Sequence, residues 1–182
     1  GVLGSVFGAF AACVFREEHR ECFPGLTATV LGSALCGLSF SFLLRVYRQE
    51  DGLWLGVFFL LGVKGNDIVA YFAGRFLGRH RFLYVSPKKT LEGCLAAVVF
   101  SAVWFTGGAW LRPEILFPWP YGIPLGIILS IATQVGDLSE SLIKRYYGVK
   151  DSGSLLPEFG GILDLTDSFL FTGFLFWVFA GR

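Results

Sequence analysis

The 182-residue chain carries a formal net charge of +1, and 54% of its residues are hydrophobic whereas only 16% are charged. This composition excludes intrinsic disorder, which requires a low apolar content, and the near-neutral charge gives no support for a nucleic-acid partner. The mean hydropathy of +0.62 favours a protein that lies in the lipid bilayer.

Uncharged stretches of near-membrane length recur from one end of the chain to the other. A helix needs about 20 residues to cross the roughly 30 Å hydrocarbon layer of a bilayer. By that measure we predict an all-α, polytopic membrane helix bundle with about six membrane segments, of which the first and last are short. No linker or repeat divides them, so residues 1–182 are predicted to form a single membrane-embedded domain. The segments are residues 1–15, 25–44, 52–76, 93–111, 115–135 and 168–181.

Small residues recur at helical spacing within several of these segments. Glycines four residues apart let helix backbones approach closely, and we interpret such pairs as packing positions. The pairs are Gly4 and Gly8, Gly52 and Gly56, Gly74 and Gly78, and Gly122 and Gly126.

Basic residues cluster between the third and fourth predicted segments. Residues 75–89 contain five lysines or arginines and no acidic residue, which by the positive-inside rule places them in the cytoplasm. Two segments separate this stretch from the loop predicted over residues 136–167, so both should lie on the same membrane face. An active site there would face the cytoplasm, at the inner membrane if the protein is bacterial.

Ionisable residues interrupt the second half of the third segment. Lys64, Asp67, Tyr71 and Arg75 follow one another at steps of three or four, and such steps place residues on one helix face. Charged groups at membrane depth are costly and usually face a partner or a wet cavity. The structural alternative is an ion pair between Lys64 and Asp67 that only joins helices.

The segment before the fourth predicted helix combines a helix start with two lysines. Ser86 is predicted to be the N-cap and Pro87 the first helical residue, so Lys88 and Lys89 would occupy the first turn. Free backbone N–H groups, the helix dipole and two ammonium groups together favour a phosphate. The alternative is that the lysines extend to lipid headgroups.

A third polar stretch follows the fifth segment. Two carboxylates, a hydroxyl and a cation are spaced as if they shared one helix face. They are Asp137, Glu140, Ser141 and Lys144, and Arg145 follows directly. A polar loop then carries Lys150 and Asp151, and Asp164 and Asp167 precede the last apolar run. The alternatives are a surface helix with i,i+4 ion pairs and acidic residues that favour a helix N-terminus.

Carboxylates and basic side chains are therefore predicted to meet at one membrane face. Carboxylates favour a hard cation such as Mg²⁺, and lysine and arginine favour phosphate oxygens, so the inferred ligand is a metal-bound polyphosphate. The four cysteines show no CxxC spacing, which removes support for a zinc site. The patterns GxxxxGK[ST], GxGxxG, HExxH and GxSxG are also absent, so P-loop, Rossmann, zincin and serine-hydrolase chemistry lack support.

The polar motifs of residues 53–168 resemble, in order, those of the phosphatidate cytidylyltransferase family, also called CDP-diacylglycerol synthases. Agreement of several motifs in a fixed order is more specific than any one of them. The motifs begin with Asn66-Asp67, Ala70-Tyr71-Phe72, Gly74-Arg75, Ser86-Pro87-Lys88-Lys89-Thr90, Glu92-Gly93, Gly136-Asp137, Glu140-Ser141 and Lys144-Arg145. They continue with Gly148-Val149-Lys150-Asp151-Ser152-Gly153, Leu156-Pro157, Gly160-Gly161-Ile162-Leu163-Asp164 and Asp167.

The resemblance implies transfer of a cytidylyl group from CTP to phosphatidate, which yields CDP-diacylglycerol and pyrophosphate for phospholipid synthesis. It implies Mg²⁺, with a second cation such as K⁺, and it suggests a homodimer. The catalytic residues expected from it are Asp137, Lys144, Asp164 and Asp167, with Asp137 and Asp164 as metal ligands. The substrate-binding residues expected from it are Asp67, Ser86, Lys88, Lys89, Glu140, Ser141, Arg145, Lys150, Asp151, Gly160 and Gly161.

Three features qualify these expectations. The chain starts at Gly1 and contains no methionine, so we expect a C-terminal portion that lacks the N-terminal helices of the family. Phe159 and Leu165 stand where the family pattern usually has histidine and arginine, which is compatible with a poorly active relative. The polar pattern is also compatible with a CTP-dependent transferase or kinase that acts on a lipid alcohol, and with a membrane transporter in which Lys64 and Asp67 line the path.

Overall fold

The computed structural model describes residues 2–14, 19–81, 86–146, 148 and 168–180, and these residues are almost entirely helical. The helices are α1 (Val2–Val14), α2 (His19–Tyr47), α3 (Gly52–Leu77), α4 (Leu91–Leu111), α5 (Gly122–Tyr146) and α6 (Phe169–Ala180), and a short 3₁₀ turn, Trp119–Tyr121, precedes α5. Within these ranges there is no β-strand, only an isolated bridge between Arg81 and Thr90. The all-α prediction is confirmed.

Four helical stretches are long and apolar enough to cross a membrane: Pro24–Tyr47, Gly52–Leu77, Leu91–Leu111 and Trp119–Tyr146. Helices α1 and α6 contain 13 and 12 residues. At about 1.5 Å per residue they reach only about 20 Å, which is less than the hydrocarbon thickness. The structure therefore supports four crossing helices, and the count of about six remains a prediction.

The fifth segment differs from its prediction at both ends. Helix α5 begins at Gly122 rather than at residue 115, because Pro118 and Pro120 lie before it. Pro124 is the third residue of the helix, where the backbone N–H has no intrahelical partner to lose. The loop predicted from residue 136 is wrong over residues 136–146, because α5 continues without a break to Tyr146.

The core is built from one face of α3 packed against α4, α5 and α6. Leu55, Phe59 and Val63 lie at i, i+4 and i+8 of α3, and all three are fully buried. The ring of Phe59 stacks on Phe176 of α6 with centroids 4.6 Å apart. An edge-to-face contact between Phe58 and Phe105 joins α3 to α4.

Glycines bring these helices into close contact where they cross. A Cβ atom placed on Gly93 of α4 would lie 2.5 Å from the carbonyl oxygen of Ala70 and 3.1 Å from the Cα of Gly74, both on α3. The packing prediction is confirmed for the glycines that have a neighbouring atom within 3.0 Å of such a Cβ, namely Gly52, Gly74, Gly78, Gly122 and Gly126. It is wrong for those that have none within 4 Å in the described part of the chain, namely Gly4, Gly8 and Gly56.

The order of the helices brings three helix ends to the same side. Helix α3 ends at Leu77, α4 starts at Leu91, and α5, which runs back across the bundle, ends at Tyr146. Most of the predicted site residues that the structure describes lie on the last turns of α3 and α5 or on the residues before α4. This arrangement confirms that the described residues 75–81 and 86–89 share one end of the bundle with the polar half of α5.

Candidate functional site

The charged pair on α3 is held by a residue at the start of α6. The Nζ of Lys64 lies 3.5 Å from Oδ2 of Asp67, and the hydroxyl of Ser168 donates to the same carboxylate oxygen at 2.8 Å. Lys64 Nζ is also 3.4 Å from Ser168 Oγ and lies over the ring of Phe169. The ion pair that was given above as the structural alternative is therefore present within α3, and its contacts with Ser168 and Phe169 join α3 to α6.

The outer half of the same predicted face is directed away from the bundle. Tyr71 and Arg75 are both exposed, and an Nη of Arg75 donates to the Tyr71 hydroxyl at 3.3 Å. Helical spacing thus correctly placed Tyr71 and Arg75 on one face of α3.

The start of α4 differs from the prediction made for Ser86. The N-cap is Thr90, whose backbone is extended and whose hydroxyl accepts from the backbone N–H of Gly93 at 3.3 Å. Ser86 instead closes a turn, in which its carbonyl accepts from the N–H of Lys89 at 3.1 Å. Lys88 and Lys89 therefore precede the helix and do not occupy its first turn. The sequence did contain a signal for this N-cap, because Thr90 is followed by an acidic residue, Glu92, in the first turn of the helix.

A contact that the sequence reading missed holds this connection in place. Glu92 accepts from the backbone N–H of His80 at 3.2 Å and lies 2.6 Å from its Nδ1. The backbone N–H of Leu91 donates to the His80 carbonyl at 2.9 Å. Residues beyond the end of α3 are thereby tied to the first turn of α4. Nothing in the local pattern pairs positions 80 and 92, which are 12 residues apart.

Two ion pairs lie on the polar face of α5. Lys89 pairs with Asp137, which joins the residues before α4 to α5, and Lys144 Nζ lies 2.5 Å from Oε2 of Glu140 within α5. Glu140 is only 2% exposed. Its face of α5, which also carries Ser141, is half-buried or buried, whereas Arg145 is exposed.

The two halves of the site are electrostatically connected. The carboxylates of Asp67 and Asp137 are close enough for their like charges to interact. Each is already accompanied by an ammonium group, from Lys64 and Lys89 respectively. In contrast, Lys88 is exposed. The structure therefore pairs Lys89 with Asp137 and places Asp67, about halfway along α3, within electrostatic reach of Asp137, with the Glu140–Lys144 pair about one turn further along α5.

A buried hydrogen-bonded group lies directly behind these charges. The side-chain oxygen of Asn66 on α3 accepts from the hydroxyls of Ser101 on α4, at 3.0 Å, and Ser130 on α5, at 2.6 Å. The amide nitrogen of Gln134 donates to Ser130 Oγ at 3.1 Å and to the Cys94 carbonyl at 3.3 Å. We call Asn66, Ser101, Ser130 and Gln134 the polar node. It could have been sought in the sequence as isolated polar residues within otherwise apolar helices.

Several of the predicted site residues lie outside the described ranges. They are Lys150, Asp151, Gly160, Gly161, Asp164 and Asp167, together with the two departures Phe159 and Leu165. Among the residues that the structure does describe, no three acidic, histidine or cysteine side chains come together as a metal site. Of the carboxylates proposed to hold the metal, those of Asp67 and Asp137 lie within the described ranges.

Comparison with known proteins agrees with this arrangement of motifs. Residues 2–181 match the sequence profile of the Cytidylyltransferase family. The chain belongs to this family. A cytidylyltransferase of Synechocystis, named phosphatidate cytidylyltransferase, is 44% identical over 132 residues, which cover 70% of this chain and 43% of the relative. One of Bacillus subtilis with the same name is 36% identical over 166 residues, or 90% of this chain and 61% of the relative.

A plant relative shows a similar match. Phosphatidate cytidylyltransferase 5, chloroplastic, of Arabidopsis thaliana is 38% identical over 176 residues, which cover 91% of this chain and 43% of the relative. The chain thus spans about half the length of the curated relatives that it matches. The resemblance seen in the motifs is confirmed, and together with the four long apolar helices it identifies an integral membrane protein of the Cytidylyltransferase family.

Proposed function

We propose that this protein transfers a cytidylyl group from CTP to phosphatidate, with release of pyrophosphate, in phospholipid synthesis. The observation that carries the proposal is the ion pair of Lys89 with Asp137, which joins two of the family motifs across α4 and α5 beside Asp67. The names of the relatives supply the substrate class. This end of the bundle offers both basic and acidic groups where a lipid phosphate and a nucleotide could meet.

The chemistry needs little help from a general base. A phosphate monoester has a second pKa of about 6, so the attacking oxygen of phosphatidate is already anionic at neutral pH. This oxygen forms a bond to the α-phosphorus of CTP, and the bond from that phosphorus to the bridging oxygen breaks. The electron pair leaves with pyrophosphate. The barrier is then mainly the repulsion between two anions, and cationic side chains can lower it.

The described lysines are suited to that task because they are already oriented. Lys89 and Lys144 each contact a carboxylate on α5, so their positions are fixed before a substrate arrives. Donors that are fixed in advance stabilise charge in the transition state without reorganisation. Ser86, Ser141 and Lys88 border the same end, and we assign to them binding of substrate oxygens.

The carboxylates fit a hard divalent cation such as Mg²⁺, because their oxygen atoms are the ligand type that such ions prefer. Asp137 and Asp67 would contribute to holding it, with Asp164 and Asp167 as further proposed ligands and K⁺ as a second cation. When bound, the ion would neutralise charge on the triphosphate and on the departing pyrophosphate. Asp137 also orients Lys89, and Ser168 orients Asp67.

The same group of residues supports a proposal for the sidedness of the protein. The basic residues between α3 and α4 favour a cytoplasmic location for this end of the bundle, at the inner membrane in a bacterium. Helices α1 and α6 would then be the two short membrane segments of the six-segment topology. We also propose that residues 1–182 act as one domain and that the protein is a homodimer, as the family resemblance suggests.

The experiment is a lipid-product assay on the full-length protein in vesicles. With CTP, Mg²⁺ and phosphatidate we expect CDP-diacylglycerol and an equal amount of pyrophosphate. Asp137→Asn and Lys144→Met should each reduce turnover by about 100-fold, as removal of one transition-state contact typically does. Glu114→Gln is the matched control, because Glu114 is an exposed carboxylate at the opposite end of α4.

Different results of this assay would contradict the proposal in distinct ways. Full turnover in both site variants would refute the site, even with the product confirmed. A phosphorylated or cytidylylated prenol as the preferred product would indicate a lipid-alcohol enzyme. Solute flux into the vesicles without CTP-dependent pyrophosphate release would indicate a transporter.

A further inference from the structure

We infer that Asn66 is a positioning residue that fixes the rotation of α3 at which Asp67 faces its partners. This inference rests on the proposed function, because it concerns how that site is held. Asn66 is only 1% exposed, and its amide lies between three helices rather than at the charged end of the bundle. It acts through Asp67, its neighbour in the chain, and through the polar node.

The hydrogen bonds of Asn66 define the direction in which its side chain points. One oxygen accepts from hydroxyls on two different helices, Ser101 and Ser130, so any rotation of α3 lengthens at least one of the two bonds. Successive residues on a helix are separated by about 100°, so fixing the direction of Asn66 also fixes that of the next residue. Asp67 accordingly points towards the start of α6, where Ser168 donates to it.

The node also reaches the other carboxylate of the site. Gln134 bonds both Ser130 and the carbonyl of Cys94, so it ties α5 to the first turns of α4. Asp137 lies three residues after Gln134 on α5, and its partner Lys89 lies shortly before Cys94 on the α4 side. The node therefore holds α3, α4 and α5 in the register that brings Asp67 near Asp137.

The energetics suggest orientation rather than stability as the purpose of the node. Hydrogen bonds between membrane helices contribute little to stability on average, and apolar residues of similar volume often pack as well. The amide nitrogen of Asn66 is buried and has no hydrogen-bond partner among the described residues. A buried donor without a partner costs free energy, so this amide is a poor choice for stability alone.

The test is a double-mutant cycle with Asn66→Leu and Asp67→Asn. Leucine keeps the side-chain volume but removes the acceptor oxygen. In the native background we expect kcat/KM for CTP and phosphatidate to fall by about 10-fold, whereas in the Asp67→Asn background Asn66→Leu should reduce it further by less than about 2-fold. Equal reductions in both backgrounds, or none in the native one, would overturn the inference.

A second pair of variants keeps the test valid if Asn66→Leu does not fold. Ser130→Ala removes one donor of the node, and Ser139→Ala, on the same helix, removes a hydroxyl that bonds only the carbonyl of Val135 among the contacts described. We expect Ser130→Ala to reduce kcat/KM by at least about 3-fold more than Ser139→Ala does. Equal activity of the two would contradict the inference.

A geometric readout separates this inference from the proposed function. Cysteines at positions 67 and 168, introduced as Asp67→Cys and Ser168→Cys, should cross-link under mild oxidation, because the native side chains are in contact. Adding Asn66→Leu should slow the cross-link by at least about 5-fold, since α3 is then free to rotate. An unchanged rate would overturn the inference whatever the enzyme does. A native protein that makes no CDP-lipid would overturn only the proposed function.

Discussion

Replacing Gly93 with alanine should separate α3 and α4 where they cross. The new Cβ would lie 2.5 Å from the carbonyl oxygen of Ala70 and 3.1 Å from the Cα and N of Gly74. Non-bonded carbon atoms prefer separations of about 3.5–4.0 Å, so the helices must move apart by several tenths of an ångström or more. All three neighbouring atoms belong to the backbone, and no side-chain rotation can relieve the contact.

The magnitude can be worked out by comparison with Gly107 on the same helix. A Cβ at Gly107 would meet no atom within 4 Å in the described residues. Gly107→Ala should therefore raise the free energy of unfolding only through the higher helix propensity of alanine, by about 0.5–1 kcal/mol. Gly93→Ala adds an overpacking cost of about 1–3 kcal/mol. Because the propensity gain is similar in both variants, their free energies of unfolding should differ by about the overpacking cost alone.

Thermal unfolding in one detergent, followed by far-ultraviolet circular dichroism, measures this difference. For a protein of this size a change of 1 kcal/mol shifts the Tm by about 2–4 °C, so Gly93→Ala should melt at least about 2 °C below Gly107→Ala. Equal melting temperatures would refute the crossing contact described here. Gly93→Ala should also reduce turnover, since it displaces the residues that carry Lys89, whereas Gly107→Ala should not.

Three further predictions concern the core, the helix start and the site. Phe59→Ala should lower the free energy of unfolding by about 3–5 kcal/mol, because the ring is buried and stacked, whereas Leu60→Ala, at a side chain that is 49% exposed, should change it by less than about 1 kcal/mol. Thr90→Ala should cost about 1 kcal/mol through loss of the N-cap, and Thr90→Ser should restore most of it in the same melting experiment. Lys89→Met should reduce CDP-lipid formation by at least about 10-fold, and by more than Lys88→Met, whose side chain is exposed. Equal losses in the two lysine variants would show that the ion pair with Asp137 has no special role.

Local spacing in the sequence predicted what lies within single helices. The pair of Lys64 with Asp67 and the shared face of Glu140 and Lys144 both depend on steps of three or four residues, and both are present. The start of α4 was predicted wrongly because serine and threonine are both good N-caps. Which of them serves as the cap depends on the contacts between the residues after α3 and the first turn of α4.

Partners from distant parts of the chain could not be predicted in this way. Ser168 lies 101 residues from Asp67, and Ser130 lies 64 residues from Asn66, so neither contact has a periodic signal. The positive-inside rule and the number of intervening segments predicted that lysines and carboxylates would meet at one end of the bundle. It could not specify that Lys89 would pair with Asp137.

The position of Lys64 and Asp67 within a single helix has a consequence for the biogenesis of the protein. Both lie about halfway along α3, and an isolated charge at the centre of a membrane helix adds about 2.5–3.5 kcal/mol to the cost of insertion. Because the two are one turn apart, they can neutralise each other as soon as α3 coils, before α4, α5 and α6 have been synthesised. The nascent segment can then partition into lipid as an electrically balanced unit, and Ser168 completes the arrangement only when α6 is inserted.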